Sequence, residues 1–196
     1  MDYDIQFDLD KIIGLSNAVF QQDALQNMQN YNDEMTISQV VRFFEKQGVE
    51  FTKTMIQNYV RVNVIPPPVD KRHYIKDHLI LLTLIHNLKN IYSLDDIKKL
   101  FRPILKDIST FDDDMVEMNA IYDIYVKSYE SATESWQNEI PQMIGKIARL
   151  VDESGVKENE KEPVCFFMTI LTLMVQSIAT KQYVQLLLDA FNKSDT

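Results

Sequence analysis

Between Lys53 and Arg61 the chain spaces nucleic-acid-binding side chains at helical intervals. Lys53, Gln57 and Arg61 recur every four residues, and Thr54, Asn58 and Arg61 follow the adjacent i, i+4, i+7 row. On a helix they form one polar stripe. Carboxamides such as Gln57 and Asn58 can pair bidentately with adenine N6 and N7, Arg61 can take guanine or phosphate, and Lys53 and Thr54 near a helix N-terminus suit phosphate. Ile56, Tyr59 and Val60, with Met55 at their edge, lie opposite and would pack inward. A solvated helix face can carry the same stripe, so its meaning rests on its neighbours. Just downstream, Lys71 and Arg72 stand beside Tyr74 and add a second basic group.

The stripe needs a second helix behind it and a turn to present the downstream cations. Thr36 and Gln39 have capping-box spacing, with Met35 and Val40 at the hydrophobic-staple positions, and Ile37, Val40, Val41 and Phe44 line one side of a helix that should stop near Gly48. Thr52 can cap the stripe-bearing helix, which runs to about Val62 before Pro66, Pro67 and Pro68 impose an extended segment. Asp70, Lys71 and Arg72 then sit at a turn flanked by Val64-Ile65 and His73-Tyr74-Ile75, which predicts a small two-stranded ribbon. A third helix from Asp77 through Asn90 is apolar nearly all round and must be buried on more than one side. Ser93, with Asp96 three residues on, caps a fourth helix.

Flanking segments are helical as well. A weakly amphipathic arm spans Leu9 to about Met28, followed by a linker at Asn30 to Asp33. Beyond Pro103, Asp112 to Asp114 suit the positive end of a helix through Tyr122, Tyr125 and Tyr129 to Trp136. Another helix is expected from Pro141 to Val151, then a polar loop from Asp152 to Glu162, then a final helix from Pro163 to about Phe191. The fold class expected is all-α with one small two-stranded wing.

Composition excludes several function classes. Four glycines in 196 residues, none near another, leave no phosphate-cradling loop of the Rossmann or P-loop type. Cys165, the one cysteine, can form neither an internal disulfide nor a thiolate cluster and reads as a small buried hydrophobe. His73, His78 and His86 lack metal-ligand spacing, so neither metal nor cofactor is expected. With no nucleophile-base pairing either, a non-enzymatic role follows. The amino end is acidic where a signal peptide carries a basic n-region and an apolar run, so none is expected. The apolar run Val164 to Val175 is twelve residues, short of the ~20 that span a bilayer, which favours a buried or subunit-contact helix and no membrane. A cytoplasmic location is expected.

The formal net charge of -9 hides a division. Residues 35 to 106 carry twelve basic and six acidic side chains, a net of +6, which leaves -15 on the remainder. Such asymmetry assigns separate jobs to separate segments.

The Tyr59-Val60-Arg61 helix ending, the Ile65-Pro66-Pro67 exit, Tyr74 after the turn and the Ser93-Leu94-Asp95-Asp96-Ile97 helix opening resemble the winged helix-turn-helix of MerR-type transcription regulators. Gln57-Asn58-Tyr59-Val60, the prolines and the pattern Leu88-Lys89, Ser93-Leu94, Ile97 are more similar still to a bacterial family known as domain of unknown function 1836. Where MerR-type regulators usually carry Arg-Tyr-Tyr this chain has Gln57-Asn58-Tyr59, so individual contacts do not transfer one for one. The resemblance implies a MerR-like winged helix-turn-helix over 35–106, between an N-terminal arm and linker (1–34) and an acidic helical dimerisation or effector region (107–196).

On this reading the chain is a bacterial transcription regulator that binds double-stranded DNA through Lys53, Thr54, Gln57, Asn58, Arg61, Lys71, Arg72 and Tyr74. A homodimer held by the final helix is expected, with a small organic ligand or a protein partner as effector at the C-terminal region. The alternative is a protein-interaction module that keeps the winged fold without DNA binding, its acidic parts engaging a basic partner.

Overall fold

The computed structural model describes residues 9–16, 19, 34–105, 111 and 116–193. The chain divides into two compact units, one made of Met1–Gln22 with Ser128–Leu187 and the other of Asp23–Lys127 with Leu188–Thr196. Among the described residues there are seven α-helices and one two-stranded sheet, so the protein is mostly helical.

The second unit contains β1 (Met35–Thr36), α2 (Ile37–Glu45), α3 (Lys53–Arg61), β2 (His73–Tyr74), α4 (Lys76–Leu88) and α5 (Leu94–Phe101). At the start of α2 the Thr36 N–H and hydroxyl both donate to Gln39 Oε1, at 2.8 and 2.7 Å. That is the Gln39 half of the expected capping box. Gly48, at φ 75°, closes the other end: its N–H bonds Glu45 O at 3.0 Å and the Val49 N–H bonds Phe44 O at 3.0 Å. This is a Schellman motif, and Val49 and Phe44 are both buried in the core. The α3 helix ends the same way on Asn63, at φ 57°, with Asn63 N–H to Val60 O and Val64 N–H to Tyr59 O. Asn tolerates the left-handed region, so α3 stops before the prolines are reached.

The core gathers around α4. Leu79, Ile80, Leu81, Leu82 and Ile85 are at most 1% exposed and pack with Val40, Phe44, Ile56, Ile65 and Ile97 from the surrounding elements. This is the all-round burial expected of a helix without a polar face. Ser93 caps α5 as expected, its Oγ accepting from the Asp96 N–H at 3.2 Å and donating to Asp96 Oδ2 at 2.7 Å.

The expected ribbon is built differently. Val64 and Ile65 are buried rather than paired, and β2 runs antiparallel to β1, with Met35 opposite Tyr74 and Thr36 opposite His73. Val69 alone bridges to His73 across the turn. Pro66, Pro67 and Pro68 lack the N–H donors a ladder needs, so the free edge of β2 is taken by the strand leading into α2. The ribbon expected on either side of Asp70 to Arg72 is reduced to the turn 69–73.

The other unit contains α1 (Leu9–Ser16), most of α6 (Met118–Glu153) and most of α7 (Lys161–Lys193). Two helices were expected where α6 is one, continuous for 36 residues through Pro141. The apolar series Ile140, Ile144, Ile147, Val151 is buried on both sides of that proline, and burial of one face outweighs the lost hydrogen bond. The polar segment after it is an ordered connection rather than a loop. Ser154 and Gly155 turn the chain, a 3-10 turn covers Glu158–Glu160, and Lys161 Nζ lies 3.0 Å from Asp152 and 2.7 Å from Glu158. These bonds, Glu158 first, hold the Lys161 amine above its usual range. Pro163 occupies the first turn of α7. Cys165 is buried on Ile147 and Val151, and burial pushes its thiol up. The arm beyond Val19, the linker at Asn30 to Asp33, and Asp112 to Asp114 lie outside the described residues.

Candidate nucleic-acid interface

The α3 helix is aimed by its two ends and its inner face. Thr52 Oγ1 accepts from the Met55 N–H at 3.1 Å, which fixes the first turn and leaves Lys53 and Thr54 exposed there. Ile56 and Tyr59 are buried beneath, and burial raises the Tyr59 hydroxyl pKa. At the far end Lys98 Nζ, from α5, donates to Val62 O at 3.2 Å and so satisfies a terminal carbonyl of α3. The stripe is thus presented outward: Lys53, Thr54, Gln57 and Arg61 are exposed and Asn58 is half-buried.

Asn58 and Arg61 are joined. Arg61 Nη2 donates to Asn58 Oδ1 at 2.6 Å. One lone pair of that oxygen and both Nδ2 hydrogens stay available, enough for an adenine edge, and the guanidinium keeps its other donors for a phosphate or guanine.

Lys71 and Arg72 are also exposed, and the turn carrying them is tight. Arg72 and His73 N–H both bond Val69 O, at 3.0 and 2.8 Å, and the Val69 N–H bonds His73 O at 2.7 Å. Asp70 (φ 50°) and Lys71 (φ 59°) are left-handed. Asp accepts this conformation and Lys rarely does, so the lysine is held at a conformational cost that Asn or Gly would avoid.

Of the α3 stripe, the structure brings Gln57 to the Lys71-Arg72 turn. An open groove of about 360 Å³ is lined by Gln57 and Val60 of α3, Lys71 and Arg72 of the turn, Thr36 and Ile37 at the start of α2, and Pro68 and Tyr74. Tyr74 differs from the others. It is 3% exposed and stacks edge-on against His78, with ring centroids 5.1 Å apart, and contributes to the groove as structure. Lys53, Thr54, Asn58 and Arg61 lie outside the groove lining, further along the α3 stripe.

His78 carries a positioning role that the sequence reading missed. It is fully buried, its Nδ1 accepts from the Ile75 N–H at 3.2 Å, and its Nε2 is 3.1 Å from Pro67 O. The first bond fixes the proton on Nε2, which donates to Pro67. One ring thereby pins the proline segment and the start of α4, the two flanks of the Lys71 turn. Burial lowers its pKa to about 4, so it stays neutral. Its spacing three residues after Ile75, the same as a capping Gln or Glu, was the available signal.

Of the aromatic residues expected on the helix leading to Trp136, Tyr122 is buried in the core and the Tyr125 hydroxyl accepts from Asn87 at 2.7 Å. Both support the fold. Among the described residues no three His, Cys, Asp or Glu side chains converge as a metal site.

No curated protein and no solved structure matches the chain. A family described as Domain of unknown function (DUF1836) matches residues 4–125, which takes in α2 to α5, the Lys71 turn and the groove between them. Since that match covers more than half of the chain, this protein belongs to the DUF1836 family.

Proposed function

We propose that the protein is a non-enzymatic, cytoplasmic transcription regulator that binds duplex DNA through a MerR-like winged helix-turn-helix. The α3 stripe lies toward base edges in the major groove, and the Lys71-Arg72 turn takes the neighbouring phosphate backbone. The observation that carries this reading is the single groove in which Gln57, Lys71 and Arg72 meet the start of α2. The Gln57 carboxamide and the basic turn at Lys71, 14 residues on in sequence, line one surface, as base readout flanked by backbone contacts requires. The seven-residue connection between α2 and α3 is longer than the three or four of a minimal helix-turn-helix and is closed by the Gly48 motif.

Fluorescence anisotropy with labelled duplexes tests it. Binding is expected to weaken with salt at a slope of about -0.9 per phosphate neutralised. Failure to bind random or selected duplexes even at low salt overturns the reading in favour of an interaction module for a basic partner, which the -15 outside residues 35–106 would suit.

A further inference from the structure

The α7 helix is inside out. Toward α6 it turns small and hydroxylic side chains: Cys165 packs with Val164 on Ile147 and Val151, and Thr169, one turn on, is buried with its hydroxyl bonded back to Cys165 O at 2.9 Å. Away from α6 it turns its bulk. Phe167, Leu171, Met174 and Ile178, flanked by Ile170 and Val175, are between 37% and 64% exposed. With about 150–250 Å² for a fully exposed aromatic side chain and somewhat less for an aliphatic one, these six leave on the order of 600 Å² of apolar surface open. That lies at the upper end of the roughly 300–600 Å² of the largest patch on a typical monomer, and such patches are often functional. It approaches the roughly 800 Å² that each partner gives to an interface of standard size.

We infer that this face pairs with the same face of a second copy of the chain, the two α7 helices running antiparallel with Phe167 opposite Ile178 and Leu171 opposite Met174. Three observations carry the assignment. The seam has spacing four, three, four, which reads the same in both directions and follows the knobs-into-holes repeat. No charged residue occurs from Pro163 to Thr180. A two-fold contact sets only the side chains nearest its axis against their own copies, so a charge there would repel itself. The seam continues at Lys181, three residues past Ile178. Parallel pairing would set Lys181 against Lys181, whereas the antiparallel register separates the two lysines.

A bilayer is the competing occupant, because α7 is long and apolar enough to cross one by length and composition. The α6 packing argues against it. Lys146 and Arg149 are exposed beside Ile147 on the helix that holds Val164 and Cys165, and a bilayer around the seam would have to accept both cations.

Light scattering on the full chain is expected to give twice the 22.9 kDa chain mass, and Leu171→Glu or Met174→Glu to give a monomer with unchanged helical circular dichroism. Cysteine cross-linking tests the register even if those variants fail to fold. In a Cys165→Ala background, Phe167→Cys mixed with Ile178→Cys is expected to form a disulfide dimer, and neither variant alone. A monomer from micromolar to submillimolar concentration overturns the inference. So does co-flotation of the wild type with phosphatidylcholine–phosphatidylglycerol vesicles, or a cross-link formed by each variant with itself.

Discussion

At Lys71 a left-handed backbone and a solvent-exposed cation coincide, and the two make opposite demands. Replacing it with glycine removes the backbone cost and should stabilise the fold by about 1 kcal/mol. On the proposed DNA-binding reading the same change removes a phosphate contact, so affinity should fall for every DNA sequence alike and the salt slope should flatten by about 0.9. Thermal melts and anisotropy titrations on Lys71→Gly check both halves, and a variant that gains stability while binding unchanged would remove Lys71 from the interface. Asn58→Ala should behave differently, costing about 1–3 kcal/mol on a preferred site with little effect on random duplex. Arg61 loses its 2.6 Å acceptor in that variant, and a melting temperature within a degree or two of wild type would show that the loss is local.

His78 is a second residue whose chemistry is visible in solution. Its folded pKa of about 4 lies below the ordinary 6.5, so the folded state resists a proton that the unfolded chain accepts. The stability it contributes is complete above pH 6.5 and is lost as pH falls toward 4. That shift corresponds to roughly 3 kcal/mol across the interval. Urea titrations at pH 7, 5.5 and 4.5 should show the decline in the wild type and a flatter profile in His78→Gln, whose amide can serve both partners.

Among the elements, the helix ends are where small substitutions have predictable effects. Thr52→Ala should cost about 1 kcal/mol by freeing the Met55 N–H. Gly48→Ala should cost about as much, by forcing a β-carbon into the left-handed region. Pro141→Ala should act oppositely and stabilise α6 by up to about 3 kcal/mol, the interior-helix difference between the two residues. Calorimetry of the three variants would separate these signs.

The same ends show why much of the fold was legible in the sequence. Thr36, Gly48, Thr52 and Ser93 are local signals, readable within four residues, and each stands at the end of a helix where it was expected. The buried face of α3 and the wrapping of α4 follow from periodicity alone. Long-range choices were not readable. Whether β2 pairs with Ile65 or with Met35 is decided by which neighbour lacks donors, and whether Pro141 breaks a helix by the burial on either side of it. The α3 stripe was visible as spacing and Lys71-Arg72 as charge, but their meeting in one groove, and the burial of Tyr74 behind it, depend on tertiary packing.

For the molecule as a whole, the division of charge governs how salt acts. Residues 35–106 are attracted to phosphate and the rest of the chain is repelled by it. At physiological ionic strength the Debye length of about 8 Å confines each effect to its own neighbourhood. Near 0.01 M it grows to about 30 Å, so repulsion between the acidic segments and a duplex bound as proposed acts over a longer range. A plot of log K against log salt should therefore bend over at its low-salt end. A line straight down to 10 mM would mean that the acidic segments stay outside the field of the DNA.

The burial of α4 on every side also sets a clock. An amide within Leu79–Ile85 meets solvent only when the elements around it have come away, so its exchange with deuterium reports the opening of the whole 34–105 core. Those amides should be the last in the protein to exchange and the first to regain protection on refolding. Every residue from Met174 to Tyr183 is exposed, and its amides are shielded by helix hydrogen bonds alone. They should exchange orders of magnitude sooner in dilute solution and slow as protein concentration rises. Two helices of one chain would then keep time differently, one set by the fold and the other by how many neighbours are present.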